Sequence, residues 1–215
     1  MAKKILKKSL FITFEGPEGC GKSTHAKKIC AFLKNNGYDC VFTREPGGTP
    51  VGDRIRKVLL DPGHRGMGPM TEALLFEASR SVLLEEVIRP ALNKKKIVIC
   101  DRFSDSTVVY QGYAGRLPLR EIKRLDTAAT GGIKPDLTII LDVNAGTGLK
   151  RAAAKRQKDR MELKSLDFHR KVRAGFLEVA RKDKKRVRVI KVRAKIEQTQ
   201  AMVRGEVLKA IGEKD

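Results

Sequence analysis

An apolar run at residues 10–14 leads directly into Gly16-Pro17-Glu18-Gly19-Cys20-Gly21-Lys22-Ser23-Thr24. No other stretch limits the possible folds as much. The spacing is that of a phosphate-binding P-loop, in which glycines turn backbone N–H groups inward to cradle an anion. Lys22 would place a full charge on the outer phosphates of a nucleotide, and the Ser23 hydroxyl is a ligand for Mg²⁺. Ala26, Ile29, Cys30 and Leu33 follow at helical spacing, so a helix N-terminus should add donors and positive dipole at the same spot. Gly16, Pro17, Glu18, Gly19, Cys20, Gly21, Lys22, Ser23 and Thr24 are therefore the candidate nucleotide-phosphate-binding residues.

Strand-like segments at 10–14, 40–43, 97–100, 137–141 and 187–192 alternate with longer segments of helical spacing, such as 71–92. This alternation predicts an α/β fold with a five-stranded parallel sheet flanked by helices. Ligand sites in such sheets lie beyond the carboxyl ends of the strands. The turn-rich Thr43-Arg44-Glu45-Pro46-Gly47-Gly48-Thr49-Pro50 and the strand-ending Cys100-Asp101-Arg102-Phe103 both fall there. Asp101 beside a P-loop suits Mg²⁺ or its water shell. A chain of 215 residues is read as one domain over 1–215, with the basic stretch 150–165 as a lid within it.

The formal net charge of +21 attracts polyanions, but only 5% of residues are aromatic. With no aromatic platform or helix-turn-helix pattern, specific nucleic-acid binding is not expected; non-specific binding at low salt is. No apolar run reaches membrane-span length and no signal-peptide core stands out near the N-terminus, so a cytoplasmic protein is expected. Cys20, Cys30, Cys40 and Cys100 have no metal-ligand spacing, so four free thiols and no structural metal are expected.

Taken together, these motifs resemble the thymidylate kinase family from about residue 10 to about residue 180. They are Phe14 to Thr24, Thr43 to Pro50, Leu75-Phe76-Glu77-Ala78-Ser79-Arg80, Asp101 to Gly112, Gly132 to Thr138, and Asp159-Arg160. The resemblance implies a P-loop nucleoside monophosphate kinase fold, transfer from ATP with Mg²⁺ to dTMP, and a homodimer. It places Glu18 near the sugar 3′-hydroxyl, Phe76 stacked on thymine and Arg80 at a base carbonyl. Thr107 and Gln111 would contact the base, and Tyr110 would crowd the sugar. Arg102 and Arg56 would hold the monophosphate, with Glu45 and Asp101 around acceptor and metal. The family supplies its catalytic arginine either from the P-loop or from the lid. Gly19 occupies the P-loop position, so this chain resembles the lid-arginine type, with Arg156 and Arg160 ranked ahead of Arg151, which is nearer the lid's start and is expected to face ATP, and with Arg102 in reserve. Those two lid residues are four apart and would share a face if helical.

Three features depart from the family pattern. Gly115-Arg116 reverses the usual order, Lys164 stands where an acid is common, and the chain is unusually basic. Two rival readings stay open at this point: a kinase of another small acceptor, and a nucleotide-binding switch or nucleic-acid-binding protein without turnover. In either kinase reading, Lys22→Ala should lower turnover by about two orders of magnitude, the usual cost of one preorganised electrostatic group. Steady-state rates at saturating ATP check this.

Overall fold

The computed structural model describes residues 4, 6, 8–154 and 158–213. In chain order the strands are β1 (Leu10–Glu15), β2 (Cys40–Arg44), β3 (Ile97–Asp101), β4 (Leu137–Asp142) and β5 (Val187–Lys191). They form one parallel sheet in the order β2-β3-β1-β4-β5. The helices are α1 (Lys22–Asn35), α2 (Pro50–Leu60), α3 (Pro69–Leu83), α4 (Arg89–Asn93), α5 (Ser104–Thr107), α6 (Leu119–Thr130), α7 (Ala145–Ala153), α8 (Leu166–Lys182) and α9 (Ile196–Ile211). The chain leaves β1 in one direction to reach β2 and crosses β1 again to reach β4. That reversal opens a crevice at the carboxyl end of β1, where Glu15 and the P-loop lie.

Alternation along the strands builds a core on each face of the sheet. Leu10, Ile12 and Phe14 of β1, Ile97 and Ile99 of β3, and Leu137, Ile139 and Leu141 of β4 pack with α1 and α9. Phe11, Val98 and Cys100 point the other way, toward Leu83, Leu84, Ile88 and Phe103. Because both faces are covered, β1 and β3 are buried along their whole length, as central parallel strands must be.

The helix expected over 71–92 is not continuous. A π-helical turn, Leu84–Ile88, separates α3 from α4. Pro90 explains it: the ring has no N–H and clashes with the carbonyl four residues back, so the ladder widens just ahead of it. A second π-helical turn, Val108–Ala114, carries Tyr110 and Gln111.

Polar residues cross the sheet in one buried seam. Thr13 and Thr138 hydroxyls lie 2.8 Å apart, and Thr138 Oγ1 donates to Asp105 Oδ2 at 3.1 Å. Arg186 grips Asp105 with two bonds of 2.6 and 3.0 Å and donates to Thr138 at 2.7 Å. Removing one partner of such a pair strands the other charge. Arg186→Ala should therefore cost about 3 kcal/mol of stability, read as a lower urea midpoint with an unchanged m-value.

Candidate active site

A cavity of about 290 Å³ opens at the carboxyl edge of the sheet. Its wall includes Glu18, Lys22, Ser23 and Thr24 from the P-loop and α1, and Arg44, Glu45 and Arg56 from β2 and α2. Phe76, Asp101, Arg102, Thr107, Tyr110 and Gln111 complete it, with Asp159, Met161 and Glu162 from the lid. Residues from Glu18 to Glu162 thus converge because the parallel strands end at one shared edge.

The phosphate end is built by the loop. Lys22 is buried and its ammonium donates to the carbonyls of Gly16 at 3.1 Å and Pro17 at 2.9 Å. Gly21, the N-cap of α1, has no side chain with which to cap the helix, and the first turn holds no acid. The leading N–H groups are thus available to an anion. Ser23 Oγ donates to Asp101 Oδ2, joining the two expected metal ligands. A hydroxyl and a carboxylate are hard oxygen donors, which fits a Mg²⁺ that keeps most of its water.

Gly19 has φ +65°, and a Cβ there would lie 2.0 Å from the Gly148 carbonyl oxygen on α7. A Cβ at Gly148 would in turn lie 2.1 Å from the Glu18 carbonyl oxygen. The P-loop and α7 thus meet backbone to backbone, and no arginine fits at position 19 in this packing.

Between the loop and β3 stands a compact charge cluster. Arg102 Nη2 donates to Glu18 Oε1 at 2.9 Å and to the Tyr110 hydroxyl at 3.1 Å, and Tyr110 donates to Glu18 at 2.6 Å. Burial pushes the Glu18 carboxyl up, but Arg102, Lys22 and the Tyr110 hydroxyl outweigh it and hold the group at about 2. Arg102 has φ 75°, a conformation unfavourable for a residue with a side chain and characteristic of functional turns. Glu15, fully buried at the end of β1, pins that turn by accepting from Phe103 N at 2.7 Å and Ser106 Oγ at 2.6 Å.

The structure relocates two expected residues. Arg80 is 1% exposed and lies behind the wall. Its guanidinium donates to Glu45 at 2.9 Å, Glu77 at 2.5 Å and Thr107 at 2.9 Å. It shares a face of α3 with Phe76, as the spacing predicts, and its partners Glu45 and Thr107 line the cavity. Glu45 Oε1 is buried without a partner among the described residues, and burial raises the Glu45 carboxyl to about 8.

Arg160 is likewise off the wall. It is 3% exposed, and donates to the Leu59 carbonyl at 2.7 Å and to Glu72 at 2.5 Å. It sits in a turn, since α7 ends at Ala153. Arg151 is exposed on the last turn of α7, and Arg156 lies outside the described residues.

Glu15 and Glu72 were missed by the sequence reading. Glu15 ends an apolar strand, and Glu72 lies four residues before Phe76 on one helical face. A carboxylate breaking an apolar pattern was the available signal in both cases.

The family model described as "Thymidylate kinase" matches residues 14–203. The chain belongs to the thymidylate kinase family. A thymidylate kinase of Geobacter sulfurreducens is 46% identical over 207 residues, covering 94% of this chain and 97% of that one. One from Symbiobacterium thermophilum is 45% identical over 196 residues, 91% of each chain. Among solved structures, the thymidylate kinase from Ehrlichia chaffeensis is similar with a TM-score of 0.75 and 34% identity, over 94% of this chain and 99% of that one. The architecture is accordingly the P-loop nucleoside monophosphate kinase fold.

Burial, then the nearby Asp105 charge, pushes Glu15 from an ordinary 4.5 up to about 7. Its folded value is raised, so its stabilising contribution is complete below pH 4.5 and is lost as pH rises through about 7. Glu15→Gln should abolish that loss. Thermal melts from pH 5 to 8 should show the variant gaining up to about 3 kcal/mol over the parent.

Proposed function

We infer that this chain phosphorylates dTMP to dTDP with ATP, in the synthesis of dTTP. The observation that carries the reading is the Glu18–Arg102–Tyr110 cluster placed directly at the mouth of a P-loop. It joins a phosphate-holding guanidinium to an acceptor-only carboxylate suited to a sugar hydroxyl.

The acceptor phosphate oxygen is already a nucleophile, so positioning and charge stabilisation suffice for in-line transfer. The P-loop N–H groups and Lys22 would hold the β and γ phosphates. Ser23 and Asp101 would hold Mg²⁺, which neutralises phosphate charge when bound. Arg102 and Arg56 would fix the monophosphate, Phe76 would stack on the base, and Thr107 and Gln111 would meet its polar edge. Tyr110, held against Glu18, would leave no room for a ribose 2′-hydroxyl.

The extra cation would come from the lid, since Gly148 blocks a side chain at position 19. Arg156 is then the foremost candidate and Arg151 the second, because Arg160 is committed to Glu72. The domain would span 1–215 with its lid at 150–165. A homodimer is supported by the outward faces of α2 and α3, which expose Val51, Val58, Met70 and Leu74. No helix among the described residues is long and apolar enough to cross a membrane. Four buried free thiols fit a reducing, cytoplasmic setting. The basic surface would bind polyanions without sequence preference.

A coupled assay of ATP consumption across nucleoside monophosphates tests the reading. ADP formation should require an acceptor and should be fastest with dTMP. ADP formation independent of dTMP would instead favour a nucleotide-binding switch.

A further inference from the structure

Glu72 lies in the first turn of α3 and is 1% exposed, and among the described residues its side chain hydrogen-bonds to neither the P-loop nor the charge cluster. Both of its oxygens are engaged. Oε2 accepts from Gln111 Nε2 at 2.8 Å. Oε1 accepts from Arg160 Nη1 at 2.5 Å and from Lys164 Nζ at 2.7 Å. Gln111 is fully buried and lies on the cavity wall, and its Oε1 has no partner among the described residues.

We propose that Glu72 is a positioning residue that sets which end of the Gln111 amide faces the acceptor base, and thereby selects bases with a ring N–H. An amide can present either a donor or an acceptor, and rotation by half a turn exchanges them. A carboxylate held between two cations can only accept, so the amide nitrogen must face Glu72 and the oxygen must face the cavity. Although burial pushes the Glu72 carboxyl up, the bonds from Lys164, Gln111 and Arg160 outweigh it and keep the group ionised.

The unpartnered acceptor matches an imide such as thymine or uracil, whose ring N–H lies between two carbonyls. Cytosine presents an unprotonated ring nitrogen at that position, and two acceptors would face each other in a dry wall. Buried unpaired polar atoms are costly enough to make this a strong discriminator. Because the same carboxylate holds Arg160 and Lys164, the lid turn and the base-reading amide share one anchor.

The inference rests on Gln111 facing the base, and the test separates the two. kcat/KM for dTMP and for dCMP is measured for the parent, Glu72→Gln, Gln111→Leu and the double variant. Glu72→Gln can donate as well as accept, which frees the amide to turn. The dTMP/dCMP ratio should fall by at least about tenfold, with dCMP turnover rising. In the Gln111→Leu background, Glu72→Gln should change the ratio no further. Lys164→Met, which loosens the lid without touching the amide, should keep the parental ratio.

If Gln111→Leu lowers the ratio but Glu72→Gln does not, the proposal fails while the site reading stands. A ratio unchanged in Gln111→Leu overturns the base-facing reading itself. An equal loss in Lys164→Met reduces Glu72 to a lid tether and also overturns the proposal. Should Glu72→Gln not fold, Glu72→Asp serves instead: its acceptor is withdrawn by one methylene, and the ratio should fall by a smaller factor.

Discussion

The contact on which the site depends is Arg102 with Glu18. It ties the end of β3 to the phosphate loop that follows β1, two segments 84 residues apart in sequence. Held in a left-handed backbone conformation and pinned from below by Glu15, the guanidinium points across the cavity mouth. The bond ties the loop to the end of β3 and leaves the guanidinium beside the cavity. A cation so placed needs no reorganisation when a phosphate arrives, which is the main resource of an enzyme with little covalent chemistry of its own.

The interior around that contact is acidic, although the chain carries a net charge of +21. Glu15, Glu45, Glu72, Glu77, Asp101, Asp105 and Glu162 are buried, against Lys22, Arg80 and Arg160 among the buried cations. Basic residues therefore dominate the surface still more than the formal charge suggests. Buried carboxylates survive only where donors surround them, and three arginines meet that need: Arg80 for Glu45 and Glu77, Arg160 for Glu72, and Arg186 for Asp105. The Arg80–Glu45, Arg160–Glu72 and Arg186–Asp105 pairs each span separate elements and so double as struts between them.

Those struts also explain why two arginines expected at the substrate are found behind it. Arg80 lies beside Glu45, Glu77 and Asp126, and Arg160 beside Glu72; in a water-poor interior each of these carboxylates would be costly to leave without its guanidinium. Arg80 and Arg160 shape the wall through Thr107, Glu45 and Glu72. Lys22, hydrogen-bonded among the described residues to two backbone carbonyls and the Cys20 sulfur and to no carboxylate, can turn its ammonium toward a phosphate.

From sequence, the P-loop, the five strands, the parallel α/β architecture and the strand-end positions of Glu45, Asp101 and Arg102 were all legible. Each is written in local spacing: glycine at fixed intervals, apolar runs of strand length, and charge immediately after an apolar run. The i, i+4 relation of Phe76 and Arg80 was legible for the same reason. What local spacing cannot encode is which distant group a charge will meet. Arg160 and Glu72 are 88 residues apart and Arg186 and Asp105 are 81. Gly19 meets Gly148 only because α7 packs under the loop. Tertiary packing alone decided these pairings, because burial sets the cost of an unpaired charge and so determines which partner each arginine must take.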